Sequence, residues 1–282
     1  MKKKGISKKA AKYWAGYSAK ILVGLLICAP LLVCFCSAVK TEAEVVNSLG
    51  WQALIPPLTP TIENFIGVVT RVPMHLFLLN TLIQCGVVIV SQVVFCSLAA
   101  YALTYFDFRG KNLLFTFILA TMMIPGDVVI IANYIQIQKW NLTNTHLGMA
   151  LPMLIGGMGI FLMRQFYLTL PPDLKEAADI DGCSEMGYFF RIALPLSVPS
   201  LAALSIREFI TVYNRYFWPL LVTNTESMRT IQLAVAALKD AEFNSTAQDM
   251  ACAACCIVPV VLVFVIGHKY IVKGMTAGAV KG

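Results

Sequence analysis

The sequence predicts an all-α integral membrane protein with six transmembrane helices and both termini on the cytoplasmic side. Three observations lead there. Hydrophobic residues make up 58% of the 282-residue chain and charged residues 13%, against about 25% charged in soluble domains. Mean hydropathy is +0.74, and the apolar residues gather in runs of about the 20 residues that a helix needs to cross hydrocarbon. Basic residues mark the ends of these runs: fifteen of the 22 Lys and Arg fall in segments assigned to the cytoplasm, as the positive-inside rule requires.

Residues 1–20 form a basic cytoplasmic head. Lys2, Lys3, Lys4, Lys8, Lys9, Lys12 and Lys20 supply much of the net charge of +7. Because they precede an apolar run, they suit anionic lipid rather than nucleic acid. Residues 21–39 are the first span. A basic head, an apolar run and the small pair Ser37-Ala38 also fit a signal peptide. The run is long for one, and later helices need a cytoplasmic start, so an uncleaved helix is expected. Residues 40–75, with Pro56, Pro57, Pro60 and Pro73, read as an external segment without a stable core of its own.

Residues 76–105 are the second span, with Ser91, Ser97, Ala99 and Ala100 small enough for close helix packing. Residues 106–112 are a short cytoplasmic turn holding Arg109 and Lys111. Residues 113–131 are the third span, interrupted near Pro125-Gly126, and polar residues 133–146 follow outside. Residues 147–167 are the fourth span, where Pro152, Gly156, Gly157 and Gly159 predict a bend or a close approach. Residues 196–221 are the fifth span and 222–249 a polar external segment. Residues 250–272 are the sixth span, with Pro259 inside it. A short basic tail, 273–282, ends the chain. Residues 76–272 make one transmembrane domain.

Residues 171–195 interrupt this pattern with charge, glycine and proline. They read as helix, turn and helix. Asp173 is placed to cap the first helix, with Glu176 three residues on reaching back. Leu174, Ala177, Ala178 and Asp181 share a helical face made nearly flat by its alanines. Gly182 ends the helix, Ser184 caps the next turn, and Pro195 and Pro199 prevent an unbroken helix beyond. The product is a polar knob shaped to enter a groove on another protein.

Glu176-Ala177-Ala178, Gly182 four positions later, and then Ile192, Leu194 and Pro195 match a long, gapless signature. On these residues the chain resembles the permease subunits of bacterial ABC importers, in the carbohydrate branch typified by the second subunit of the maltose permease. The resemblance runs from the second span to the last residue. It implies the type I ABC importer permease fold in the cytoplasmic membrane. It implies as partners a homologous second permease, two ATP-binding cassette subunits, an extracytoplasmic solute-binding protein and membrane lipid, with no nucleic acid. ATP and Mg then belong to the partner subunits, and this chain binds no cofactor. The absence of a Walker A loop, of H-E-x-x-H and of G-x-S-x-G agrees with a chain that is no enzyme.

The resemblance also assigns roles. Glu176, Ala177, Ala178 and Gly182 would couple the permease to its ATPase, with Asp181 and Arg191 at the rim of the contact. The tail Thr276–Gly282 looks like an ending common in this branch, which brings Gly278 and Lys281 to the ATPase as well. A disordered terminus is the alternative.

The fifth span carries the remaining candidates. Arg207 and Glu208 are ionisable groups in an apolar run, where a charge at the bilayer centre costs about 2.5–3.5 kcal/mol. Such groups face a bundle interior or water. With Tyr213, Asn214 and Arg215 they form a candidate substrate path, or else Arg207 and Glu208 pair structurally while Tyr216 and Trp218 anchor the interface. Relatives of this type usually have Trp-Asn where this chain has Tyr213-Asn214, and a neutral or acidic residue at Arg215. The expected solute is therefore a sugar or related small polar molecule, with an anionic one such as a glycerol phosphate as the alternative. An ion-coupled secondary transporter is a rival of another class, but it would need internal repeats and has no use for the loop.

Eight of the nine cysteines lie in apolar runs, and Cys183 lies in the knob. Buried cysteine behaves as a small hydrophobe, so no disulfide framework is expected. Cys252, Cys255 and Cys256 share a helical face without a nearby histidine, which disfavours a metal site.

Overall fold

The computed structural model describes residues 8–48, 50–240 and 245–277. Lys2, Lys3, Lys4, Gly278 and Lys281 lie outside them. The described residues are helical, with no strand. In chain order the helices are α1 (Lys8–Ala38), α2 (Glu42–Asn47), α3 (Glu63–Arg71), α4 (Met74–Tyr105), α5 (Lys111–Met122), α6 (Ile130–Lys139), α7 (His146–Ala150), α8 (Gly157–Tyr167), α9 (Pro172–Ile180), α10 (Glu185–Tyr188), α11 (Leu194–Leu196), α12 (Val198–Tyr213), α13 (Phe217–Val222), α14 (Ala234–Asp240) and α15 (Thr246–Ala277). They form two compact units, one of residues up to Val72 with Val235–Cys256, the other of Pro73–Ala234 with residues from Ile257 on.

Among the described residues, three helices are long and apolar enough to cross a membrane: Gly16–Ala38, Met74–Tyr105 and Thr246–Gly267. Two bent helix pairs are long and apolar enough when the two halves of each are taken together. His146–Met153 meets Gly157–Tyr167 at 50°, and Glu185–Leu196 meets Val198–Tyr213 at 71°. The expected third span is broken where the sequence placed its interruption. α5 stops at Met122, and α6 begins at Ile130. Pro125 lies between them, lacking the N–H that would continue a helix and restricting the residue before it. The expected fifth span likewise ends at Tyr213, and α13 restarts at Phe217.

The segment 40–75, expected to have no stable core of its own, packs into a core shared with α1, α14 and α15. In the first unit Ala38, Val68, Val72, Leu238, Ala247 and Ala251 are buried. Asn64 Nδ2 donates to the carbonyl oxygens of Ala38 and Lys40 at 2.9 and 2.7 Å, which ties α3 to the end of α1. Glu42 accepts from Ser245 Oγ at 2.6 Å and from the backbone N–H of Thr246 and Ala247 at 3.0 and 2.9 Å. A carboxylate from α2 thus satisfies the otherwise orphaned donors at the start of α15. That cap explains why α15 begins at Thr246, four residues before the apolar run.

In the second unit α4 packs along α8 and α12. A Cβ built on Gly159 would lie 2.8 Å from both Cys96 Sγ and Gln92 Oε1, so only glycine permits α8 to approach α4 this closely. Trp218 does not anchor an interface: it is 3% exposed, and its indole N–H donates to Met149 O at 2.9 Å. The cysteines are free. Among the described residues, no group of three or more His, Cys, Asp and Glu is placed to hold a metal ion.

Candidate functional site

The knob forms as helix, turn and helix, with a different start. α9 begins at Pro172, and Pro171 holds the N-cap position without a side-chain hydrogen bond. Proline in the first turn presets the helical φ where no N–H is needed. Asp173 therefore sits inside the first turn, where it complements the helix dipole rather than capping. Gly182 adopts φ +71°. The N–H of Gly182 donates to Asp179 O at 3.1 Å and that of Cys183 to Ala178 O at 2.9 Å. This pair of bonds is the Schellman closure that a left-handed residue makes possible. Ser184 Oγ then accepts from Gly187 N–H at 3.1 Å and starts α10.

α10 continues through a π-turn, Phe189–Ala193, into α11. The N–H of Leu194 donates to Phe189 O, five residues back. Pro195 has no N–H to offer Arg191 O, so the ladder widens before it. The 71° bend follows, and α12 departs from it.

Glu176, Ala177, Asp181, Gly182 and Arg191 are exposed. Ala178 is not. It is 5% exposed and belongs to the core formed with Tyr101, Met163, Tyr167, Tyr188 and Phe189. The two alanines therefore divide: Ala178 seats α9 on the protein, while Ala177 remains available to a partner. Ile180, 86% exposed, extends the apolar part of that outer surface.

Lys175 and Glu185 escaped the sequence reading. Lys175 Nζ pairs with Asp179 and donates to Glu185 Oε1 at 2.9 Å. Hydrogen bonding to Asp179 first, and also to Glu185, raises the Lys175 ammonium above its ordinary value against the effect of burial. The Lys175–Asp179 spacing of four was visible as a helical pair. The contact with Glu185 exists only because Gly182 folds the chain back.

The second group lies on α12. Arg207 Nη1 pairs with Glu208 Oε1, and Gln92 Nε2 donates to Glu208 Oε2 at 3.1 Å. Glu208 is 4% exposed. Arg207, Glu208, Thr211 and Arg215 line a cavity of about 290 Å³ with Gln92 and Gly156. Thr211 and Arg215 also border a second cavity of about 390 Å³, lined by Asp127, Asn214, Tyr216 and Trp218. Positions 207 and 211 are four apart and so share one face of α12, and Arg215 lies just past the end of that helix. Tyr213 does not join them. It is fully buried, its ring 5.4 Å from that of Phe209, because position 213 lies about 200° around the helix from position 211.

Comparison with known proteins places this architecture. Residues 92–277 match the family described as binding-protein-dependent transport system inner membrane component. The chain is 34% identical over 254 residues to the arabinooligosaccharides transport system permease protein AraQ of Halalkalibacterium halodurans, covering 90% of this chain and 91% of that one. It is 35% identical over 264 residues to the sn-glycerol-3-phosphate transport system permease protein UgpE of Yersinia pestis, covering 90% and 93%. In structure it resembles a chain of a bacterial ABC transporter involved in the import of the acidic polysaccharide alginate. The TM-score is 0.80 at 19% identity, over 95% of this chain and 99% of the other.

Proposed function

The chain belongs to the binding-protein-dependent transport system inner membrane components, and from that premise we propose that it is one permease subunit of an ATP-driven importer for a sugar or related small polar solute. It is a transport component of the membrane rather than an enzyme. We infer six crossings with both ends in the cytoplasm: the three long helices and the two bent pairs allow up to five, and α5 with its broken continuation is read as the sixth. Its partners are a homologous permease, two ATP-binding cassette subunits and an external solute-binding protein. ATP and Mg reside on the cassettes.

One observation carries the reading. Glu176-Ala177-Ala178 and Gly182 sit on an exposed helix closed by a left-handed glycine, a rigid protrusion suited to a groove on the ATPase. Ala177 enters that groove, Ala178 holds the helix from behind, and Asp181 and Arg191 flank it. Gly278 and Lys281 reach the same partner. Closure of the cassettes on ATP shifts the permease toward an outward-facing state, and reopening returns it.

Arg207 and Arg215 favour a second reading within the same class. Both guanidinium groups border one cavity with the single carboxylate of Glu208, a net positive lining that suits an anionic solute. The named glycerol-phosphate relative has the same sense.

Co-expression with the neighbouring genes, purification in mild detergent and identification of the bound chains test the proposal. Recovery of a second permease and an ATPase pair, with hydrolysis stimulated by loaded binding protein, is expected. A stable lone chain or homodimer that never retains an ATPase contradicts it. Sugars and sugar phosphates compared as stimulants then decide between the two solute classes.

A further inference from the structure

One carboxylate receives donors from two different helices. Glu185 opens α10, immediately beyond the Gly182 turn. Its Oε1 accepts from Lys175 Nζ of α9 at 2.9 Å, and its Oε2 accepts from the Tyr101 hydroxyl of α4 at 2.8 Å. The same hydroxyl lies 3.1 Å from the backbone carbonyl oxygen of Glu185. Tyr101 is 2% exposed. Its ring is 5.1 Å from Phe189 and 6.2 Å from Tyr167, which fixes its direction. Lys175 is held on its other sides by Asp179 and by the Tyr188 ring, 5.4 Å from the ammonium.

We propose that Glu185 is a positioning residue for transport, a strut that ties the exposed helix α9 to the membrane-crossing helix α4. The proposal rests on the reading that α9 meets the ATPase. The alternative route out of α9 is the chain itself, which turns at Gly182 and widens at the π-turn before it bends into α12. A displacement carried by those three irregular points would dissipate in their torsions. A charge-assisted hydrogen bond on each side of one carboxylate is short and directional. The tyrosine at its inner end is locked by packing. Through this bridge, movement of α9 acts on α4 directly, and on α8 and α12, which pack along α4. Ala178 supplies contact at the same place but no direction, since it is a single methyl group against aromatic rings.

The test uses the complete importer, with cassettes, second permease and binding protein, in proteoliposomes. The readout is solute moved per ATP hydrolysed, together with the amount of ATPase retained on the membrane. For Glu185→Ala and Tyr101→Phe the ATPase stays bound and hydrolysis continues. Solute per ATP falls roughly 2- to 30-fold, the range by which residues along a coupled network change coupling. Glu185→Gln, which keeps the acceptor for Tyr101 but loses the charge toward Lys175, falls between. Tyr101→Phe removes one oxygen and leaves the ring packing, so it reads the link even if Glu185→Ala fails to fold. A wild-type ratio in Tyr101→Phe overturns the strut. Release of the ATPase in the Glu185 variants also overturns it, because Glu185 would then belong to the docking surface. A wild-type complex that holds no ATPase refutes the importer reading instead, whatever Glu185 does.

Discussion

Replacing Gly182 by alanine separates backbone conformation from size. A Cβ at this position meets nothing within 4 Å, yet φ is +71°. The added methyl therefore strains only its own residue. An L-residue in the left-handed region costs about 1–2 kcal/mol. At tenfold per 1.4 kcal/mol, the closed loop loses about 5- to 30-fold in population relative to open alternatives. The bonds at stake are Gly182 N–H to Asp179 O and Cys183 N–H to Ala178 O. Asparagine visits this conformation more readily than other side chains, so it should rescue much of the loss despite being larger than alanine. The expected order of solute moved per ATP is Gly, Asn, Ala, Val, and hydrogen exchange at the Gly182 and Cys183 amides should follow the same order. Equal transport by the Asn and Ala variants, or wild-type transport by Ala, would falsify the conformational argument.

Other outcomes follow from single contacts. Gly159→Leu should lower the melting temperature in detergent, because overpacking against Cys96 and Gln92 costs about 1–3 kcal/mol. An unchanged melting temperature would mean that α8 is free to retreat from α4. Glu42 has a defined acid limb. Burial pushes its carboxyl up, but hydrogen bonds from Ser245, Ala247 and Thr246 outweigh this and hold it below its ordinary value. Its contribution to stability is therefore full above the ordinary carboxylate pKa of about 4.3 and disappears as pH falls through the lower folded value. Glu42→Gln should flatten stability against pH in that window, and a parallel acid limb in the variant would assign the effect to other groups. If the solute is anionic, Arg215→Ala should weaken its uptake about 10- to 100-fold, the value of a hydrogen bond to a charged group. Uptake of a neutral sugar should be unaffected. Equal losses for both would make Arg215 a structural residue.

The sequence by itself determined what depends on composition, spacing and backbone preference. Low charge and long apolar runs place the chain in a membrane, because hydrocarbon tolerates little else. The signature from Glu176 to Pro195 located the exposed loop and its turn, since only glycine enters the left-handed region without strain. Pro125 and Gly156 marked where spans break. Tertiary structure decided what depends on contacts between distant residues. Ala177 and Ala178 are the same residue type, yet one faces solvent and the other the core of Tyr101, Tyr167 and Tyr188. Tyr213 and Arg215 are two residues apart, yet Tyr213 ends α12 inside the core while Arg215, past the helix end, lines the cavity. The Glu42 cap on α15 spans more than 200 residues, and the Tyr101–Glu185 bridge spans 84. Neither has a local pattern, because a hydrogen bond across the fold is set by where packing brings two side chains, not by their distance along the chain.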